Sequence, residues 1–363
     1  MELYKAHRQW AARPADERFT TLKALYDACK AYAAQAGEKT VTVADIRVEA
    51  DKDEVVLVGK RAVPAQLTHW AFGQVCARVG APASYMRDLP ATLAVQNLNY
   101  GLAQYGKAEH DEKDRTAQLL FHQNGGLLLR AFTSEQYARI WNWEVAERLL
   151  NLENSGWEPA RPDFNAGPDA APALYASDHD MFTFLRNRST IIREPGNPDG
   201  LQRGVIVENS EVGASALKLT RFLYRAMCGN HIIWGASKVL EIKVRHVGHA
   251  HERWAGYQAE LQAYLDSSAS DDEAKVRRAR AFKLGDTKEE VLDRLFGIRG
   301  VRGYVSQKLL DASYDAALPD RDGSPNTVWG MVQGMTRYSQ QTPYADQRTA
   351  IDRAAGRLME IDF

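Results

Sequence analysis

The stretch GVIVENSEVGASALKLTRFLYRAMCGNHIIWGASKVLEIKVRHVG, residues 204–248, is the longest run rich in β-branched and apolar side chains in this chain. Val205 to Val207 and Ala214 to Thr220 alternate as two strands around a polar tip, Asn209-Ser210-Glu211, that ends at Gly213. From Leu219 to Met227 two periods compete. Strand alternation puts Arg221 and Arg225 on one face, whereas helical spacing gathers Leu219, Phe222, Leu223, Ala226 and Met227 on one side. The reading favoured here is a strand to about Arg221 and a short helix to Gly229. Val239 to Val247 alternates as one more strand, and a histidine-bearing tail, His246, His249 and His251, closes the stretch.

Working outward, the same signals recur. Phe19, Leu22, Leu25, Tyr26, Cys29 and Tyr32 step by three and four as an amphipathic helix. Ile46 to Val58 reads as a hairpin through Asp51-Lys52-Asp53, and Thr68 caps a helix carrying Phe72, Val75 and Cys76. Asn124-Gly125 between Leu119–His122 and Leu127–Phe132 is the strongest short hairpin signal. A helix from Tyr137 to Leu150 follows it, then an irregular proline-bearing connection over 154–173. Met181 to Leu185 resumes the sheet, with an exposed turn over 194–200. Beyond His251 the chain reads as helical, with a capping box Asp286…Glu289 opening one of the helices. The expected fold is α+β: a mainly antiparallel central sheet with helical ends packed on it. Three regions are expected: a mostly helical 1–110 with a hairpin, a β-rich 117–250 and a helical 251–363.

Composition narrows the function classes. The 363 residues are 45% apolar and 26% charged with a formal charge of −1, so no global field favours nucleic acid or membrane. Cys29, Cys76 and Cys228 form neither a CxxC pair nor an even framework, and the polar N-terminus has no signal-peptide core. A cytoplasmic, membrane-free setting is expected. The P-loop and the nucleophile elbow are absent, and no cofactor is expected.

Charge is uneven, however. Residues 186–253 hold eleven Lys and Arg against six Asp and Glu. Lys218, Arg221, Arg225 and Arg245 are candidate phosphate contacts, with Tyr224 and Trp234 as stacking faces for unpaired bases. The tip Asn209-Ser210-Glu211 suits either a tight turn or a binding loop. His246, His249 and His251, with Asp178 or Asp180, are the weak metal candidates, and no single geometry aligns all three imidazoles. A solvated basic strand and a surface histidine turn explain the same residues without any ligand.

Several runs together resemble a known family. They are Leu67-Thr68…Gln74-Val75-Cys76, Met181-Phe182-Thr183-Phe184, Gly204 to Gly213 leading into Phe222-Leu223-Tyr224-Arg225, Arg245-His246-Val247-Gly248, and Thr327-Val328-Trp329-Gly330. The chain is similar, over roughly residues 65–360, to the phage- and plasmid-borne family called domain of unknown function 932. That resemblance implies a mobile-element setting beside genes that handle single-stranded DNA or counter host defences, and it brings no catalytic residues. The expected function is single-stranded DNA binding, as an annealing or protective homo-oligomer. The alternatives are a metal-dependent enzyme acting on nucleic acid or a nucleotide, and a counter-defence or assembly module acting through protein contacts.

Overall fold

The computed structural model describes residues 15–60, 63–107, 115–123, 125–160, 173–194, 197–225, 230–233, 242–267, 270–303, 305–319, 323–341 and 345–360. Its N-terminal part builds a six-stranded sheet. After β1 (Arg18–Phe19) and helix α1 (Leu22–Ala33) come β2 (Ala36–Thr42), β3 (Ile46–Asp51), β4 (Glu54–Gly59) and β5 (Ala65–Leu67). Lys52 takes a left-handed φ of 54° to turn β3 into β4. Helices α2 (His69–Arg78), α3 (Ala83–Asp88) and α4 (Ala91–Tyr105) lead to the hairpin β6 (Thr116–Gln123) and β7 (Leu127–Ser134). Thr68 caps α2 by accepting from the Ala71 amide at 3.1 Å, as its sequence suggests. The strand order is β2-β6-β7-β5-β4-β3, with only the β5–β7 pair parallel. The helices α2 and α4 cover one face of this sheet through Phe72, Val75, Leu98, Leu102, Leu119 and Phe132.

The boundary expected at 110–117 therefore falls inside this sheet, because β6 and β7 pair with β2 and β5.

The second sheet is the long-stranded one. Helix α5 (Asn142–Leu152) precedes β8 (Trp157–Pro159), β9 (Leu174–Ala176), β10 (Met181–Glu194), β11 (Asn197–Asn209), β12 (Leu217–Arg225), β13 (Asn230–Ile233) and β14 (Ile242–Val244). Their order is β1-β9-β10-β11-β12-β13, with β8 beside β10 and β14 beside β12. Here the ambiguity at 219–225 resolves as strand: Lys218 to Tyr224 pairs residue for residue with Glu208 to Gln202. The expected short helix from Arg221 is corrected to the extent that residues are described, since 226–229 lie outside them. Ladder bonds to β11 on one side and to β13 on the other outweigh the helical spacing.

Residues opposite one another in an antiparallel pair share a face, so the register sorts the side chains. Leu185, Val205, Val207, Leu217, Leu219 and Val244 point to the face packed by α1, α5, α6 (Ala250–Ala255) and α7 (Tyr257–Asp266). Phe182, Phe184, Ile206, Phe222 and Tyr224 point the other way. They cluster there with Tyr175, Ala160 and Ala173.

The remaining helices are α8 (Ser270–Ala281), α9 (Lys288–Gly297), α10 (Arg299–Arg302), α11 (Gln307–Ala316), α12 (Val328–Gln341) and α13 (Ala345–Leu358). They build a core around Trp329, Met331 and Met335 that reaches Ile192, Leu201 and Leu223 at the far end of the sheet. The cap of α9 is Thr287, which accepts from the Glu290 amide at 3.3 Å. Asp286 is one residue too early for that role. No helix among the described residues is long and apolar enough to cross a membrane.

Candidate functional site

The tip Asn209-Ser210-Glu211 is not an exposed loop end. It is 0–3% exposed and wedged between the two sheets. The reason lies in what surrounds it. Val212 packs on Leu120 and Ala131 of the six-stranded sheet, with Trp70 and Trp141 beside them. Its carbonyl accepts from Trp70 Nε1 and Gln74 Nε2, both at 2.8 Å. Ser210 Oγ donates to the His179 carbonyl at 2.6 Å, and Tyr137 donates to the Ser210 carbonyl at 3.0 Å. Asn209 Nδ2 donates to the Ile140 carbonyl at 3.0 Å and to Asn142 Oδ1 at 2.8 Å.

Glu211 is the centre of this network. One carboxylate oxygen accepts from the Asn142 amide at 2.9 Å, at the positive N-terminal end of α5, and the other takes Arg130 Nη2 at 3.0 Å. Arg139 donates to the Glu211 carbonyl and pairs with Glu38. Arg130 reaches this place through a β-bulge: Leu120 pairs with Ala131 while Phe121 pairs with Leu129, so Arg130 is the extra residue. The same Nη2 donates to the Asp178 carbonyl at 2.7 Å, and the guanidinium lies 4.5 Å from the Tyr32 ring centroid. Tyr32 in turn stacks on His122 at 4.0 Å. Burial raises the Tyr32 and Tyr137 phenols above their ordinary value, while burial and Arg130 lower the His122 imidazole. The 209–211 tip thus meets the backbone carbonyls of Asp178 and His179, and His246 joins them through the Ile140 amide, which donates to its Nδ1 at 3.4 Å.

The expected basic face fares differently, residue by residue. Lys218 is 21% exposed in its side chain and pairs with Glu208 at 3.2 Å. Arg221 lies on the opposite, helix-covered face, 4.1 Å from the Tyr264 ring centroid, and burial lowers its pKa. Tyr224 is 0% exposed and meets the Phe222 ring edge-on at 6.3 Å. It therefore offers no face to an incoming base, and its stacking role is withdrawn. Two further arginines of the run are spent internally: Arg186 on Glu158 at 2.8 Å and Arg203 on Asp272 at 3.0 Å. Arg245 is exposed. The Arg225 side chain and Trp234 lie outside the described residues.

One part of that surface does gather cations. Phe182, Glu208, Lys218 and Lys243 form a single cross-strand row over β10, β11, β12 and β14. Arg245 stands two residues beyond Lys243, on the same face by alternation. Arg253 of α6 reaches this edge, donating to the Val247 carbonyl at 2.6 Å and the Arg245 carbonyl at 3.4 Å. Lys243, Arg245 and Arg253 are exposed and Phe182 is partly so.

The family comparison adds a frame. A family model with the description Domain of unknown function (DUF932) matches residues 131–360, well over half of the chain. The chain belongs to that family. Neither a curated protein nor a solved structure gives a match. The DUF932 match takes in Arg139, Asn142, the 209–211 wedge and the basic row. It begins one residue after Arg130, so the cation that answers Glu211 and the α1 side chains around it lie before the matched segment.

Within this DUF932 chain the histidines separate. His246 is 4% exposed and stacks on Tyr137 at 5.2 Å. His249 stands in solvent beside Glu252 at 3.0 Å, and the His251 side chain is outside the described set. Among the described residues no three His, Cys, Asp or Glu side chains are close enough to share a metal ion. Asp180 is buried and bonded to Ser177 Oγ at 3.1 Å, while Asp178 is exposed. Sequence reasoning missed Arg130, Arg139 and Asn142. One signal was available: Arg130 interrupts the apolar run Leu127–Phe132, and a charge inside a central strand needs a buried partner.

Proposed function

We propose that this DUF932 protein binds single-stranded nucleic acid through the basic end of its long sheet. What carries the reading is the row that sets Lys218 and Lys243 side by side, with Arg245 next on the same face and Arg253 at the edge. Among the described residues, four cations there face two carboxylates, Glu208 and Glu252, which leaves a local surplus in a chain that is otherwise slightly acidic. Phe182, opposite Glu208, supplies the aromatic edge that Tyr224 cannot. An annealing or protective role in a mobile genetic element, in an oligomer, fits this chemistry, because contacts to phosphates and one ring hold a strand without reading its sequence.

The test is fluorescence anisotropy with a labelled oligothymidylate across a salt series. If about three phosphates are neutralised, log K falls with log salt at a slope of about −2. Lys243→Glu with Arg245→Glu weakens binding by at least about tenfold and flattens that slope by about 1.4, two contacts at about 0.7 each. Salt-insensitive binding, or affinity unchanged in the double variant, rejects this interface.

A further inference from the structure

A cavity of about 260 Å³ opens beside the buried polar centre, between α1, the N-terminal end of α5 and the turn after β9. Its size is roughly nine water molecules' share of liquid volume, which suits a small polar molecule and not a strand of nucleic acid. Four carboxylates line it, Asp16, Glu17, Asp178 and Glu211, together with the rings of Phe19 and Tyr32. Glu211 already has its cation in Arg130. No cation among the described residues pairs with the carboxylate of Asp16 or Asp178, and no Lys or Arg belongs to the lining.

Acidity alone would describe a solvated cleft. The second observation is Asn142, which lines the cavity while only 4% exposed. Its Oδ1 is taken by Asn209 Nδ2 and its backbone amide by Glu211. Its own Nδ2 makes no hydrogen bond among the described residues. Held in place by Asn209, this amide has no acceptor among the described residues and is not shut off from the cavity, so its donor is open to a molecule bound there. Cys29 completes the inner wall as a thiol that burial pushes well above its ordinary pKa, so it is a neutral contact and not a nucleophile.

From this arrangement we infer that the cavity is a binding site for a small organic cation that also carries a hydrogen-bond acceptor. The guanidinium head lies between Asp16 and Asp178 against the Tyr32 and Phe19 rings, and a carbonyl or hydroxyl oxygen accepts from Asn142 Nδ2. A phosphate-bearing ligand meets four carboxylates and no lining Lys or Arg here, so charge disfavours it. The site is independent of the basic row on the long sheet, so either stands if the other fails.

Argininamide is a suitable probe, because it joins a guanidinium and an amine to a carbonyl. Citrullinamide, of nearly the same shape with a neutral head, is its control. Calorimetry on the full chain is expected to show saturable one-to-one binding of argininamide, at least about tenfold weaker for citrullinamide, the size of a single lost charge contact. Asp178→Asn, at an exposed position, weakens argininamide to a similar extent. Ala28→Phe, which fills the cavity without touching a charge, abolishes binding while the thermal melt confirms a folded chain. Absence of saturable heat up to about 10 mM argininamide, or equal affinity for the two probes, overturns the site. Binding that survives Ala28→Phe in a folded chain overturns it as well. Should Ala28→Phe fail to fold, the Asp178→Asn and citrullinamide comparisons decide alone.

Discussion

Arg130 and Glu211 are 1% and 3% exposed, so each is the other's main compensation for leaving water. Arg130→Met leaves an uncompensated carboxylate at the junction of the two sheets and is expected to cost about 3–5 kcal/mol in a urea unfolding titration. Adding Glu211→Gln removes the stranded charge and is expected to recover part of that loss. An additive double variant would show that the two side chains are not coupled. His122 gives a pH signature at the same place. Burial and the Arg130 charge hold its imidazole below the ordinary value of 6.5, so the unfolded chain takes the proton more readily than the folded one. Its contribution is complete above about pH 6.5 and is lost as pH falls through the lower folded value. Between about pH 7 and about pH 5 the wild-type urea midpoint should therefore fall faster than that of His122→Gln. At this scale the sequence was legible where one residue type has one common use, as at Thr68 before α2. It was not legible at Tyr224, whose alternation is right but whose face is covered, nor at Glu211, whose polar neighbours resemble a surface turn.

Where one period dominates, the elements follow the sequence: the hairpins β3–β4 and β6–β7 and the helix α2 stand where alternation and three-four spacing put them. Two departures share a cause. Residues 219–225 and 137–141 satisfy a helical period locally but are claimed by strand partners from elsewhere. Tyr224 pairs with Gln202, and Tyr137 bridges to Val247 while the Ala138 amide donates to the His246 carbonyl at 2.9 Å. Helix α5 accordingly starts at Asn142, not Tyr137. The β11–β12 pair also explains Gly204. A methyl placed there would lie 2.4–2.6 Å from three atoms of the Phe222 ring, which covers the glycine from the neighbouring strand. Gly204→Ala is expected to cost about 1–3 kcal/mol by overpacking, read as a lowered melting temperature. Phe222→Leu introduced with it should cost less than the two changes summed, because the smaller side chain vacates the space.

For the molecule as a whole, the expected class, α+β with a mainly antiparallel sheet, describes what is found. The expected division into three regions describes it less well. One sheet runs from residue 36 to 134, the other begins with β1 at residue 18, and the two helical cores meet opposite ends of the long sheet. Sequence proximity could not show this, because the partners that join the sheets are far apart in the chain. A direct consequence concerns the segment matched by the family model. A chain cut to begin at residue 131 keeps Glu211 but loses Arg130, the partner strands of β7 and the helix α1. It is expected to lack a cooperative thermal transition, whereas a chain beginning at residue 15 keeps one. Calorimetry of the two side by side checks this.

The bond from Arg130 to Glu211 spans 81 residues, which sets an order of events during synthesis. At about 5–20 residues per second the ribosome takes on the order of 4 to 16 s to make that interval. For that time the first sheet carries a guanidinium whose counterion does not yet exist. The nascent N-terminal half thus stays without the partner of its buried guanidinium until Glu211 has been made and seated.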